Sequence, residues 1–206
     1  MAGIWQLVAT ERTRLFDALV ELDDADWDKP SLCTDWNNKQ TLAHIVFTAE
    51  ITRPVFFIGM AKNGMRFHRM SANNVRKVSV EATDDLLARL RAAIPSHNRP
   101  PGPVGTVLME TVVHGEDIAY ALGKKIDHTE EGLIGAADFA KGAQPLVGCR
   151  KRIAGLSLRA TDVDWSTGDG PEVSGPLVAL LLAMSGRKPA LDALTGEGVT
   201  TLRVRA

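Results

Sequence analysis

Met109-Glu110-Thr111-Val112-Val113-His114-Gly115-Glu116-Asp117 sets three acids and a histidine into an otherwise apolar run, and its period decides the fold. Val112, Val113, Ile118 and Ala121 recur at helical spacing, and the pattern extends over residues 107–122. Residues four apart on a helix are surface neighbours, so Glu110 and His114 project side by side, with Asp117 one turn further along. The same period holds on the N-terminal side. Ile4, Leu7, Val8, Leu15, Ala18, Leu19 and Leu22, separated by Arg12, Arg14 and Asp17, form an amphipathic first helix. It stops at Asp23, Asp24 and Asp26, before the turn chemistry of Lys29-Pro30-Ser31. Asn37 or Asn38, both good N-cap types, starts a second helix carrying Leu42, Ala43, Ile45, Val46, Ala49 and Ile51, which Pro54 kinks or breaks. Residues 55–60 are apolar and Lys62-Asn63-Gly64 is a stop. Thr83-Asp84-Asp85 opens a short helix over 86–94, and the proline-rich segment 95–105 is a loop.

On the C-terminal side, Thr129-Glu130-Glu131 opens a last helix expected to run to about residue 147. Near Lys151 the character changes. The turn-rich segment 165–171 separates Ile153, Leu156, Leu158 and Ala160 from the apolar helix 177–184, and 199–205 alternates with period two, as a half-buried strand does. The expected organisation is therefore a mostly α chain, with a helical bundle over 1–148 and a small α+β domain over 149–206.

The 206 residues carry 24 Lys+Arg against 25 Asp+Glu, a formal charge of -1, which excludes the basic footprint that phosphate-backbone binding needs. No apolar run approaches the ~20 residues of a membrane span. Trp5, Gln6 and Glu11 stand where a signal peptide would carry its basic and apolar regions, so a cytoplasmic location is expected. The two cysteines, Cys33 and Cys149, form neither a disulfide framework nor a CxxC pair. Cys33 has no His or Asp company in its own segment and is expected to pack as a small hydrophobe.

An unpaired carboxylate on an apolar helix face costs several kcal/mol, and a divalent metal would remove that cost. Glu110 and His114 form two teeth of such a ligand comb. His44, amid Leu42, Ala43, Ile45 and Val46, is the natural third donor from a facing helix, and two histidines with one glutamate make a catalytic zinc set with an open fourth position. Zinc is the first choice, although nickel, manganese or iron suit the same donors. His44 also fits a hydrogen-bonded core histidine, and a Glu-x-x-x-His pair fits a solvated helix face. His68, His97 and His128 stand among polar residues and are expected at the surface. Asp117 is expected to orient His114 rather than bind metal, or else to be solvated.

Glu11-Arg12 with Leu15, Leu19 and Leu22, then Trp27, Pro30-Ser31-Leu32-Cys33-x-x-Trp36 and Leu42-Ala43-His44, resembles the opening of the mycothiol-dependent maleylpyruvate isomerase family. Glu110-x-x-x-His114-x-x-Asp117 is similar to that family's second signature. Ala160-Thr161-Asp162-x-x-Trp165-x-x-Gly168-x-Gly170-Pro171 with Met184-Ser185-Gly186-Arg187 resembles its C-terminal domain. The resemblance implies a DinB-like four-helix bundle of up-down-down-up type, metal ligands His44, Glu110 and His114, and mycothiol as thiol cosubstrate. It further implies a small-molecule acid as substrate, isomerised from cis to trans by reversible thiolate addition. Mycothiol S-transfer to another electrophile, or metal binding without turnover on the same scaffold, are the alternatives. Asn37-Asn38-Lys39-Gln40 departs from the family's usual helix start and bears on substrate identity. Arg187 matches the family's Gly-Arg and is the candidate carboxylate clamp, a role that competes with capping the preceding helix.

Overall fold

Asn37 opens its helix as its residue type predicts. Its Oδ1 accepts the Gln40 N–H at 2.8 Å and Gln40 Oε1 accepts the Asn37 N–H at 3.0 Å, a reciprocal capping box. The computed structural model describes residues 3–144 and 147–206. In chain order the elements are α1 (Ile4–Leu19), α2 (Asp24–Trp27), α3 (Asn38–Glu50), α4 (Arg53–Lys62), α5 (Phe67–Val78), α6 (Thr83–Ala93), α7 (Gly105–Ala119) and α8 (Glu130–Ala140). They continue with α9 (Cys149–Arg152), β1 (Ser157–Ala160), β2 (Ser166–Thr167), β3 (Glu172–Gly175), α10 (Leu177–Met184) and α11 (Val199–Arg205). No helix of the described residues is long and apolar enough to cross a membrane.

The chain divides into two compact units, Met1–His128 and Thr129–Ala206. In the first, α1 and α3 each pack against both α6 and α7, giving a four-helix bundle. Leu15, Leu19, Leu42, Val46, Leu86, Leu90 and Ile118 fill its centre, each burial contributing roughly 1.5–3 kcal/mol. Gly115 lets α7 lie close on α1, since a Cβ there would meet Leu15 Cδ1 at 2.9 Å and Ile126 Cδ1 at 3.1 Å. Helix α5 packs on α3 through buried Met70, Ser71 and Val75. It was not expected, because Arg69, Asn73, Asn74, Arg76 and Lys77 dilute its apolar spacing.

The second unit begins earlier than the expected boundary at 148, because α8 packs on α10 and so joins the C-terminal elements. Thr129 caps α8 as anticipated, accepting the Gly132 N–H at 3.1 Å. The helix ends at Ala140 instead of continuing to about 147, where Lys141 and Gly142 turn; Pro145 and Leu146, in the stretch expected to be helical, lie outside the described residues. The sheet has the order β2-β1-β3, β1 antiparallel to β2 and parallel to β3, with Leu158 opposite Val173. Helix α10, apolar on every side, lies against α8, β1 and β3.

The expected strand over 199–205 is instead helix α11. The flank beyond β3 is taken by an antiparallel bridge from Ser174 to Thr195, so it offers the terminal segment no ladder. As a helix the segment buries Leu202 and leaves Val204 exposed, while Arg205 Nη1 donates to the Arg152 and Ala154 carbonyls at 2.9 and 2.7 Å. Period-two patterning gave way to the available partners.

Candidate metal centre

Helices α3 and α7 pack together and bring two histidines into contact. His44 and His114 meet edge to face, ring centroids 4.8 Å apart. His44 is buried, and its Nδ1 lies 3.2 Å from Ser71 Oγ on α5. His114 Nδ1 lies 2.8 Å from Oδ2 of the fully buried Asp117. His114 Nε2 makes no hydrogen bond with any described residue. Burial alone would push the His114 imidazolium down, but its bonds to Asp117 and Cys33 outweigh burial and hold its pKa up to about 10.

The loop before α3 lies against both histidines. A bridge between Pro30 and Asn37 closes it, and Ser31 ties it internally, accepting the Cys33 N–H at 3.1 Å and donating to the Trp36 carbonyl at 3.0 Å. The Leu32 N–H donates to the Asp117 carbonyl at 2.9 Å, docking the loop on α7. Trp36 then sits 4.9 Å from the His44 ring. Cys33 Sγ sits 3.2 Å from Asp117 Oδ2 and 3.6 Å from His114 Nδ1. Cys33 is therefore not the inert packing residue its own segment suggested; its partners lie 81 and 84 positions away.

Glu110, one turn before His114, faces α3. With Arg12, Ile45, Thr48, Ala49, Val107 and Thr111 it lines a cavity of about 10 Å³, room for one water. It makes no hydrogen bond or ion pair with any described residue, and burial pushes its carboxyl pKa up against the smaller opposing pull of His114. Arg12 is turned to the end of α6, donating to the Ala93 and Ser96 carbonyls at 2.7 and 2.8 Å, and burial lowers its pKa to about 10.

Among the described residues, one group of three has all its donor atoms within 4.8 Å of one another: Cys33, His114 and Asp117. His44 and Glu110 stand outside that group. Arg187 lies in the second unit, half-buried, and donates from Nη1 to the Ser185 carbonyl at 2.9 Å, as a residue capping α10 would.

His128, like Cys33, departs from what its own segment suggests. Instead of lying at the surface, its side chain is 3% exposed, with Nδ1 2.6 Å from Glu11 Oε2 and Nε2 3.1 Å from Glu116 Oε1. Burial lowers its pKa, and the two carboxylates more than reverse that, raising it to about 9. His68 and His97 are exposed as expected.

Residues 8–101 match the family described as the mycothiol maleylpyruvate isomerase N-terminal domain. Over that stretch, a little under half of the chain, the sequence is similar to that domain. Its matched part contains Cys33, Trp36, His44 and Ser71, while Glu110, His114 and Asp117 follow it on α7. Two solved structures are similar over 94% of this chain and 91% of theirs: a mutant of the mycothiol-dependent maleylpyruvate isomerase, at 19% identity and TM-score 0.59, and the mycothiol-dependent maleylpyruvate isomerase, at 18% and 0.58. At that identity the likeness is one of fold. Among curated proteins none matches the sequence.

Proposed function

We propose that this chain is a divalent-metal- and thiol-dependent enzyme, an isomerase of a maleylpyruvate-like acid with mycothiol as cosubstrate. The observation that carries the metal reading is Glu110, a carboxylate raised in pKa by burial and with no hydrogen bond or ion pair to any described residue, beside a histidine whose Nδ1 is engaged by Asp117. That arrangement fits a bound cation, because it leaves His114 Nε2 and a carboxylate oxygen as donors. His44, Glu110 and His114 would hold the ion, zinc by first choice, leaving one position for the thiol. A divalent ion bound there lowers the pKa of a coordinating thiol, ordinarily near ~8.5, so that it is thiolate at neutral pH.

The chain's own part is orientation and exclusion of water. Asp117 fixes the His114 ring, Ser71 the His44 ring, and Trp36 covers the latter. In the reaction the thiolate sulfur bonds to one carbon of the cis double bond, whose electron pair moves onto the conjugated carbonyl as an enolate; the former double bond, now single, rotates, and the pair then returns to re-form it as the C–S bond breaks, giving the trans acid and the thiolate. A second reading, in which Cys33, His114 and Asp117 themselves chelate the ion, draws on their mutual proximity.

Elemental analysis of protein purified without chelators, then a mycothiol-dependent assay on maleylpyruvate, tests the proposal. Near-stoichiometric metal, lost in His44→Ala, with thiol-dependent turnover is expected. Protein that neither contains nor takes up a divalent ion would overturn it, and metal binding without turnover on that acid or on any model electrophile would reduce it to a binding function.

A further inference from the structure

Cys33 is reactive in type, sits beside the candidate centre, and has no part in the proposed ligand set. Its geometry is that of a hydrogen-bonding partner. Two donors on one tetrahedral zinc, at the usual Zn–N and Zn–O lengths, lie about 3.3 Å apart. His114 Nδ1 and Asp117 Oδ2 are 2.8 Å apart, a hydrogen bond too short for two ligands of one such ion. Cys33 Sγ reaches the same Oδ2 at 3.2 Å, within range for a thiol donor. The thiol is held there by its loop: Leu32 is bonded to the Asp117 carbonyl, the Cys33 N–H to Ser31 Oγ, and Ser31 Oγ accepts from Thr41 Oγ1 on α3 at 2.8 Å.

We infer that Cys33 is a positioning residue that acts on the metal centre through Asp117: its S–H and the His114 Nδ1–H share one buried carboxylate oxygen, and this aims His114 Nε2 at the ion. The loop thus sets both histidines, Cys33 acting on His114 by way of Asp117 and Trp36 bearing directly on His44. The inference rests on the proposed His44, Glu110 and His114 site and goes beyond it by giving the thiol a donor's role instead of a ligand's.

Cobalt(II) titrated into metal-free wild type, Cys33→Ser and Cys33→Ala separates the possibilities. Serine keeps a donor and alanine removes it. Wild type and Cys33→Ser are expected to bind with affinities within a few-fold, neither showing a near-ultraviolet thiolate-to-cobalt band, while Cys33→Ala binds about tenfold more weakly, as on loss of an orienting partner. A thiolate-to-cobalt band in wild type that vanishes in Cys33→Ser would make Cys33 a ligand and overturn the inference; so would unchanged affinity in a folded Cys33→Ala. If wild type takes up neither cobalt nor zinc, the proposed function fails separately. The hydrogen-bonded Nδ1–H resonance of His114 in the metal-free proteins then still decides. It should be present in wild type and Cys33→Ser and shifted in Cys33→Ala, and an unshifted resonance would overturn the inference.

Discussion

Helix α7 contributes to two clusters of histidine and carboxylate that are built in opposite ways. In one, His128 is held between Glu11 and Glu116, with a carboxylate on each ring nitrogen. In the other, among the described residues, His114 has only Nδ1 engaged, by Asp117 and Cys33, and Glu110 beside it makes no hydrogen bond or ion pair. Burial separates them only in degree, the His128 side chain being 3% exposed and that of His114 15%. The difference lies in closure: a cluster whose donors and acceptors are all matched can only stabilise, whereas one that leaves a nitrogen and a carboxylate unmatched is poised for something from outside.

The largest break in that contrast is His128→Ala, which strands two buried carboxylates. It should cost about 3–5 kcal/mol by urea denaturation while leaving metal affinity per folded molecule unchanged; a loss below 1 kcal/mol would deny the cluster its structural role. Next comes pH. The folded-state pKa of His128 is raised from 6.5 to about 9, so its contribution is complete below the unfolded value and is lost as pH rises through the folded one. Stability of the metal-free wild type should fall by about 3 kcal/mol between those values, and the fall should be absent in His128→Gln. A flat alkaline profile in wild type would contradict the pairing.

Glu110→Gln acts on the open cluster. It should weaken metal binding at least ~100-fold, yet cost no more than ~0.5 kcal/mol in the metal-free protein, because the half-buried carboxylate it removes makes no hydrogen bond or ion pair with any described residue. A large loss of metal-free stability would mean that Glu110 belongs with the matched groups. The smallest effect is expected of Asp117→Asn, which keeps an acceptor but loses its charge. Calorimetric titration should show metal affinity down ~10–100-fold. A loss as complete as that of Glu110→Gln would place Asp117 on the ion itself.

The local features were legible in the sequence because they depend on neighbours in the chain. Asn37 and Thr129 cap helices as their types imply, and the Glu110, His114 and Asp117 spacing placed Asp117 where it bonds the His114 ring. Cys33 and His128 were misjudged for one physical reason. Their polar partners lie on elements remote in sequence, Glu11 being 117 positions from His128, and a segment's composition is silent about what packs on it. Ser71 was missed with α5 as a whole. No signal in its own segment points to His44, though the spacing of Met70 and Val75 could have revealed the helix. The terminal segment shows the converse: its alternation was real, but the place it would need beside β3 was already taken.

Cys33 and Asp117 lie 84 positions apart, and that span orders events during synthesis. A chain still emerging from the ribosome holds Cys33, Trp36 and His44 long before Glu110, His114 or Asp117 has been made. The carboxylate and one of the two histidines of the proposed ion site arrive together, with the last helix of the bundle. A half-made chain thus has no chelating set to trap whichever ion it meets first, and the choice of ion falls to the finished bundle and the metal pool in which it is released.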